Sequence, residues 1–206
     1  TDLGADTTQC GGSIILDGGN INGASYNWST GDTTQVITSL NSDTITLSVN
    51  RLHCSATDTI IVNIHTPPTS DFTLDSICET DSIYPVNNSS GNITAWNWDL
   101  GNGQSDTSFQ PLISFSNNGN YMIQLIVTDS NNCSDTSLQN IAIDSAISVT
   151  LGADTTQCGG SIILDGGNIN GVTYNWSTGD TTQVITSSNS DTITLSVNRL
   201  HCSATD

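Results

Sequence analysis

Residues 149–206 restate residues 1–58 at an offset of 148, differing only at Thr1/Val149, Asp2/Thr150, Ala24/Val172, Ser25/Thr173 and Leu40/Ser188. Two near-identical copies must share one fold, so whatever lies between them is a second kind of unit in an alternating array. The fragment reads as one full repeat and the start of the next, a window onto a longer repetitive polymer. The expectation is therefore that the last copy is unfinished. Its missing strand would correspond to Thr59–Ile64, where Ile60, Val62 and Ile64 alternate inward.

Hydrophobic residues make up 34% of the chain, enough to build cores. Charged residues make up only 11%, less than half the usual share of about 25%. The surface must consist mainly of Ser, Thr, Asn and Gln. There is no lysine, and the two cations, Arg51 and Arg199, face twenty acidic residues for a net charge of −18. Such a surface repels phosphate backbones and anionic lipid, so neither nucleic acid nor a membrane surface is an expected partner. No apolar run approaches the roughly 18 residues needed to span a bilayer.

The hydrophobic period is two. Ile45, Leu47 and Val49 alternate with Thr44, Thr46, Ser48 and Asn50, and Tyr121, Ile123, Leu125 and Val127 repeat the pattern, as half-buried antiparallel strands do. Turn clusters such as Asp17-Gly18-Gly19-Asn20 and Asn117-Asn118-Gly119-Asn120 punctuate them. The fold class expected is all-β: tandem Ig-like or PKD-like β-sandwiches at 1–64, 66–144 and 149–206, arranged as an elongated rod. One junction carries Pro67-Pro68, which favours stiff extended geometry. The other, Ile141–Leu151, runs from one segment into the next without a proline.

Six cysteines fall one pair to each segment: Cys10 and Cys54, Cys78 and Cys133, Cys158 and Cys202. None makes the close C-x-x-C spacing of a metal site. Small sandwiches are marginal alone, so the spacing suggests three bridges, each closed within its own segment, and an oxidising, extracytoplasmic location.

The stretches WNWDLGNG at 96–103 and GNYMIQLIVTDSNNC at 119–133 resemble the PKD module, departing from its usual pattern at Leu100 and Asn102. The flanking segments, with LGADTTQCGG and YNWSTGDTTQ, resemble Ig-like repeats of large cell-surface proteins of gliding bacteria, many exported by type IX secretion. That resemblance implies a β-sandwich spacer or adhesin.

Trp28, Trp98, Tyr121 and Trp176 are expected as core aromatics. The competing reading of the Tyr26/Trp28, Trp96/Trp98 and Tyr174/Trp176 pairs is a carbohydrate platform. Asp129, Asn131 and Asp135, and likewise Asp99, Asn102 and Asp106, are weak candidates for Ca2+, since neither run has the ligand density of a calcium loop; Asp and Asn also make turns on their own. No other cofactor is expected. His53, His65 and His201 read as exposed turn residues, and Arg51 and Arg199 as partners of a local carboxylate or of a neighbouring chain. Ten triplets of Asp, then Ser or Thr, then Ala, Ile or Thr, Asp43-Thr44-Ile45 among them, match a bacterial O-glycosylation pattern that strand propensity explains equally well.

No catalytic constellation is present, so an enzyme is not expected. The function expected is a structural repeat of an extracellular surface filament, stalk or adhesin, associating laterally with its own kind and meeting cell-surface or glycan targets. The alternative is a set of accessory spacer or carbohydrate-binding modules of a secreted hydrolase.

Overall fold

The computed structural model describes residues 1–206, all in strands, turns and extended segments, with no helix. The first segment contains β1 (Thr7–Cys10), β2 (Ile14–Asp17), β3 (Ser25–Trp28), β4 (Val36–Ser39), β5 (Asp43–Arg51) and β6 (Cys54–His65). Alternation in β5 points Ile45, Leu47 and Val49 inward and leaves Thr44 and Asn50 exposed. β5 and β6 form a hairpin, Arg51 opposite Cys54, that continues to Asp43 opposite Val62. The sheet order is β1-β6-β5-β3, with β1 running parallel to the far end of β6, while β2 and β4 form a second, two-stranded sheet. Ile14, Leu16 and Ile37 from the small sheet meet Trp28, Ile45, Leu47, Ile60 and Val62 from the large one. This is an Ig-like β-sandwich.

In the middle segment, β7 (Phe72–Thr73), β8 (Ile77–Cys78), β9 (Ser82–Ile83) and β10 (Val86–Asn87) are two-residue strands. β11 (Ile93–Asp99), β12 (Ser105–Asp106), β13 (Ile113–Ser114), β14 (Gly119–Asp129) and β15 (Ser134–Asp144) follow, and the main sheet has the order β12-β11-β14-β15-β8. Again a short early strand, β8, lies parallel to the end of the long last strand, Cys78 opposite Asp144. Phe72, Trp98, Ile113, Ile123 and Leu125 are completely buried, with the Phe72 ring edge-on to Trp98 at 5.0 Å.

The third segment repeats the first through β16 (Ile162–Asp165), β17 (Thr173–Trp176), β18 (Val184–Ser187), β19 (Leu195–Arg199) and β20 (Cys202–Thr205). Its differences follow from one stretch. Residues 155–158 have the same sequence as β1 but form no strand, because the Val62–His65 stretch that pairs with β1 has no counterpart among residues 149–206. Ile162, Leu164 and Ile193, equivalent to the buried Ile14, Leu16 and Ile45, are only half-buried and line an open groove.

By contacts the chain resolves into two compact units. One comprises Thr1–Ser70, Ser89–Ala95 and Ile126–Thr136; the other comprises Asp71–Asn88, Trp96–Leu125 and Ser137–Asp206. Each unit joins a flanking segment to part of the middle one.

Acidic side chains hold the loops that cap these sandwiches. The Asp17 carboxylate accepts from the Gln35 side chain and from the Gly19 N–H, both at 2.9 Å, and Asp165 does the same with Gln183 and Gly167. These bonds favour the charged form, the Gln35 amide contributing most at Asp17 and the Gln183 amide at Asp165, so both carboxyls sit below the ordinary range. Asp58, chiefly through the Leu3 N–H, and Asp106, chiefly through the Ser108 hydroxyl, are lowered too. A depressed folded pKa contributes stability that is present above the unfolded value of about 3.9 and is lost as pH falls through the lower folded value. The contribution of these four carboxylates should therefore be lost as pH falls below about 4. Substituting Gln35→Ala is expected to raise the Asp17 pKa toward its ordinary value while leaving Asp165 unchanged, as read by carboxyl-carbon NMR titration.

Candidate functional site: the stapled junctions

The two disulfides join Cys10 to Cys133 and Cys78 to Cys202, with Cα separations of 5.5 and 5.0 Å. Cys54 and Cys158 are free and exposed. The expected bridges within segments, Cys10–Cys54, Cys78–Cys133 and Cys158–Cys202, are thus replaced by bridges between segments. The reason is the parallel first strand. Cys10 lies beside His65, at the end of the twelve-residue β6 that Cys54 begins, so the two cysteines are separated by the strand's length, about 37 Å. A disulfide needs Cα atoms within roughly 7 Å. In the middle segment Cys78 lies beside Asp144 at the end of the eleven-residue β15, whose first residue Cys133 immediately precedes. Cys10 and Cys78 are delivered to the downstream ends of their segments, and Cys133 and Cys202 each lie at a hairpin that meets the segment before it.

Those hairpins are alike in backbone strain. Leu52 (φ +55°), Leu200 (φ +50°) and Asn132 (φ +61°) all occupy the left-handed region one or two residues before the late cysteine, a conformation uncommon for Leu. Asp129 organises the middle hairpin: 5% exposed, its carboxylate accepts from the Asn131 N–H at 2.8 Å and the Cys133 N–H at 2.9 Å. Asp135 reaches the first junction instead, accepting from the Ser70 N–H at 2.8 Å. Asp99, Asn102 and Asp106 each accept from a backbone N–H two residues on. Asp129, Asp135, Asp99, Asn102 and Asp106 thus each engage one side-chain oxygen in holding a turn or a junction, and no group of three or more His, Cys, Asp or Glu is placed to hold a metal ion.

Around the first bridge, the Gly11 N–H donates to the His65 carbonyl at 2.7 Å. A Cβ on Gly11 would touch the Pro67 ring at 3.4 Å, and one on Gly91 would come within 3.0 Å of the Pro68 Cα. The stiff Pro67-Pro68 linker is gripped by a glycine from each side. Gly91, at φ +110°, cannot accept a side chain without moving the linker. Gly91→Ala should cost about 1–3 kcal/mol in denaturant unfolding. Gly103→Ala, with positive φ and open space around it, isolates the backbone part of that loss.

The second junction has a polar collar. The Arg199 guanidinium donates to the Ser145 carbonyl at 3.0 Å and His201 Nδ1 lies 2.6 Å from the Asp144 carboxylate. The Glu79 N–H donates to the Asp144 carbonyl at 2.9 Å, and the Glu79 carboxylate accepts from the Ala146 N–H at 3.1 Å. Arg199 and His201 thus engage the end of the preceding segment; Arg199 is half-buried where its equivalent Arg51 is exposed, and the His201 ring stays exposed like that of His53.

Three indoles are packed inside, while Tyr84 and Phe109 are exposed. Trp28, Trp98 and Trp176 are at most 2% exposed, and their indole N–H groups donate to the carbonyls of Thr34, Ser108 and Thr182. Tyr121 is half-buried against Phe115 at 4.3 Å, with its hydroxyl on the Asn117 carbonyl. Tyr26 and Tyr174 are pinned through their hydroxyls to the Gly19 and Gly167 carbonyls. Trp96 packs edge-on against Phe109 at 5.5 Å.

With this geometry in place, the middle segment can be set beside known proteins. Residues 65–143 match the family profile described as PKD domain. A stretch of 56 residues, 27% of this chain, is 45% identical to the pre-pro-metalloprotease PrtV of Vibrio cholerae serotype O1, of which it spans 6%. Among solved structures, the PKD1 domain of Vibrio cholerae metalloprotease PrtV is similar over 38% of this chain and 98% of its own, with 35% identity and a TM-score of 0.33. The PKD1 domain of Vibrio anguillarum Epp is similar over 39% of this chain and 96% of its own, with 26% identity and a TM-score of 0.36. The match to the PKD family lies in the middle segment, and its boundaries enclose Cys78 and Cys133, one cysteine of each staple.

Proposed function

We propose that this chain is a non-catalytic structural repeat of a long extracellular bacterial filament, stalk or adhesin of the gliding-associated, type IX-secreted kind. The observation that carries the reading is the interlacing of the two disulfides, which span 123 and 124 residues and join each module to the next. Bridges within modules would stabilise each sandwich alone. Bridges between modules stiffen the succession of modules, which is useful to a fibre and of little use to a flexible spacer. Disulfides also favour an oxidising location, and no helix is long and apolar enough to cross a membrane.

Lateral association of several chains fits the surface. The outward face of β5, with Thr44, Thr46, Ser48 and Asn50, is uncharged and hydrogen-bonding, so another chain can approach it without burying charge. The net charge of −18 opposes bundling at low salt, and screening weakens that opposition. Imaging of fibres isolated from the source cells, with mass per unit length, tests both parts. Fibres built on this repeat are expected to carry more than one 148-residue repeat per roughly 70–80 Å. A value near one repeat in that length rejects bundling, and finding the sequence only in a dispersed secreted hydrolase rejects the filament. The latter is the competing reading, an accessory module, which the similarity to a metalloprotease favours.

A further inference from the structure

Cys54 and Cys158 are the only cysteines left unbonded, and the internal repeat shows what their equivalents do. Cys54 is equivalent to Cys202, and Cys158 to Cys10; both equivalents are bonded to the PKD-type segment. The difference extends beyond sulfur. Arg199, His201 and Cys202 meet Ser145, Asp144 and Cys78, and Cys202 is 2% exposed. The identical Arg51 and Cys54 are exposed, where Arg199 is half-buried and Cys202 buried; the His53 and His201 rings are both exposed. At the other end, Cys10 is carried to its bridge by the parallel pairing of β1 with Val62–His65, while residues 155–158 lie beside the open groove where that strand is lacking.

We infer that Cys54 and Cys158 are junction half-sites, each built to bond a further PKD-type module: Cys54 to a cysteine in the Cys78 position, and Cys158 to one in the Cys133 position. The inference deepens the proposed function and rests on it only for an oxidising setting. The rule is that the early cysteine of each module bonds the late cysteine of the next. The reaction is thiol–disulfide exchange with a disulfide oxidant. The two thiols lose two protons and two electrons as the S–S bond forms, and the oxidant's disulfide is reduced to two thiols. If every junction obeys the rule, spans of about 120 residues set at each module boundary overlap, so at least one disulfide bypasses the backbone at every point of the polymer.

The test extends the full 206-residue chain with a second copy of residues 59–144 after Asp206, which supplies both the groove strand and a second PKD-type module. The protein is refolded with glutathione disulfide, alkylated, and mapped without reduction. The expected result is that the added copy of Cys133 bonds Cys158, while the added copy of Cys78 joins Cys54 as an alkylated thiol, with Cys10–Cys133 and Cys78–Cys202 retained. Cys158→Ser in the extended chain should leave the added Cys133 copy alkylated and the two original bridges intact. Bonding of the two added cysteines to each other, with Cys158 alkylated, overturns the inference. A mirror extension, residues 65–148 before Thr1, should move the bond to Cys54 and the added Cys78 copy; an alkylated Cys54 there counts equally against it. Neither outcome bears on whether the natural fibre exists, which imaging decides separately.

Discussion

Stretched from its two ends past unfolding, the oxidised chain is expected to stop at roughly 270–290 Å, and the reduced chain at about 700 Å, at 3.3–3.6 Å per residue. The limit comes from interlacing. From Cys10 the tension can follow the backbone to Cys78 and cross to Cys202, or cross at once to Cys133 and follow the backbone to Cys202. The two routes are nearly equal in length, about 80 residues in all, so two strands share the force. Bridges closed within segments would instead allow only about 60 residues, or roughly 200–220 Å. Single-molecule force extension with and without reductant reads the difference, and Cys10→Ser with Cys78→Ser should reproduce the reduced value without reductant. The same topology means that one backbone cut anywhere between Cys10 and Cys202 leaves a single covalent molecule.

The second large effect is expected in the middle core. Trp98 has no exposed surface, lies edge-on to Phe72 at 5.0 Å, and donates its indole N–H to the Ser108 carbonyl at 3.0 Å. Trp98→Ala should cost about 3–5 kcal/mol, because it removes a large buried ring and leaves a cavity that a sheet of this rigidity cannot close. Trp98→Phe keeps much of the volume and orphans the carbonyl, so it should cost less, about 1–3 kcal/mol. Urea unfolding monitored by far-ultraviolet circular dichroism separates the two. Trp96→Ala should cost less than Trp98→Ala, since Trp96 is only half-buried and its indole N–H has no partner to lose.

The strands that could be read from the sequence are those whose side chains alternate over at least five residues. β5 and β14 announced themselves through Ile45-Leu47-Val49 and Ile123-Leu125-Val127. The two-residue strands β7 to β10 carry no period to detect. The buried indoles at Trp28, Trp98 and Trp176 were legible because each follows another aromatic at a spacing of two, which sets both rings on one face of a strand, and a ring that large on an inward face is buried. The cysteine partners were not legible, because cysteine spacing reports how many residues lie between two thiols but not where a strand carries them. The four-residue TTQC strand pairs in parallel with the end of β6 and so delivers Cys10 away from Cys54. No hydrophobic alternation marks that pairing; the strand's burial pattern is nearly all exposed. The acidic loops were ambiguous for a different reason: the residues that suit an Asx turn also suit part of a calcium loop, and spacing does not say which backbone N–H a carboxylate such as Asp129 or Asp135 reaches.

The central claim, that covalent staples run between modules, is tested most directly by mapping the bonds of the 206-residue chain itself. Trypsin is of little use with two arginines and no lysine; pepsin at acidic pH cuts freely and suppresses thiolate exchange. After alkylation of free thiols, the expected peptides link Cys10 to Cys133 and Cys78 to Cys202, with Cys54 and Cys158 alkylated. Peptides linking Cys10 to Cys54, Cys78 to Cys133 and Cys158 to Cys202, with no thiol alkylated, would contradict that claim.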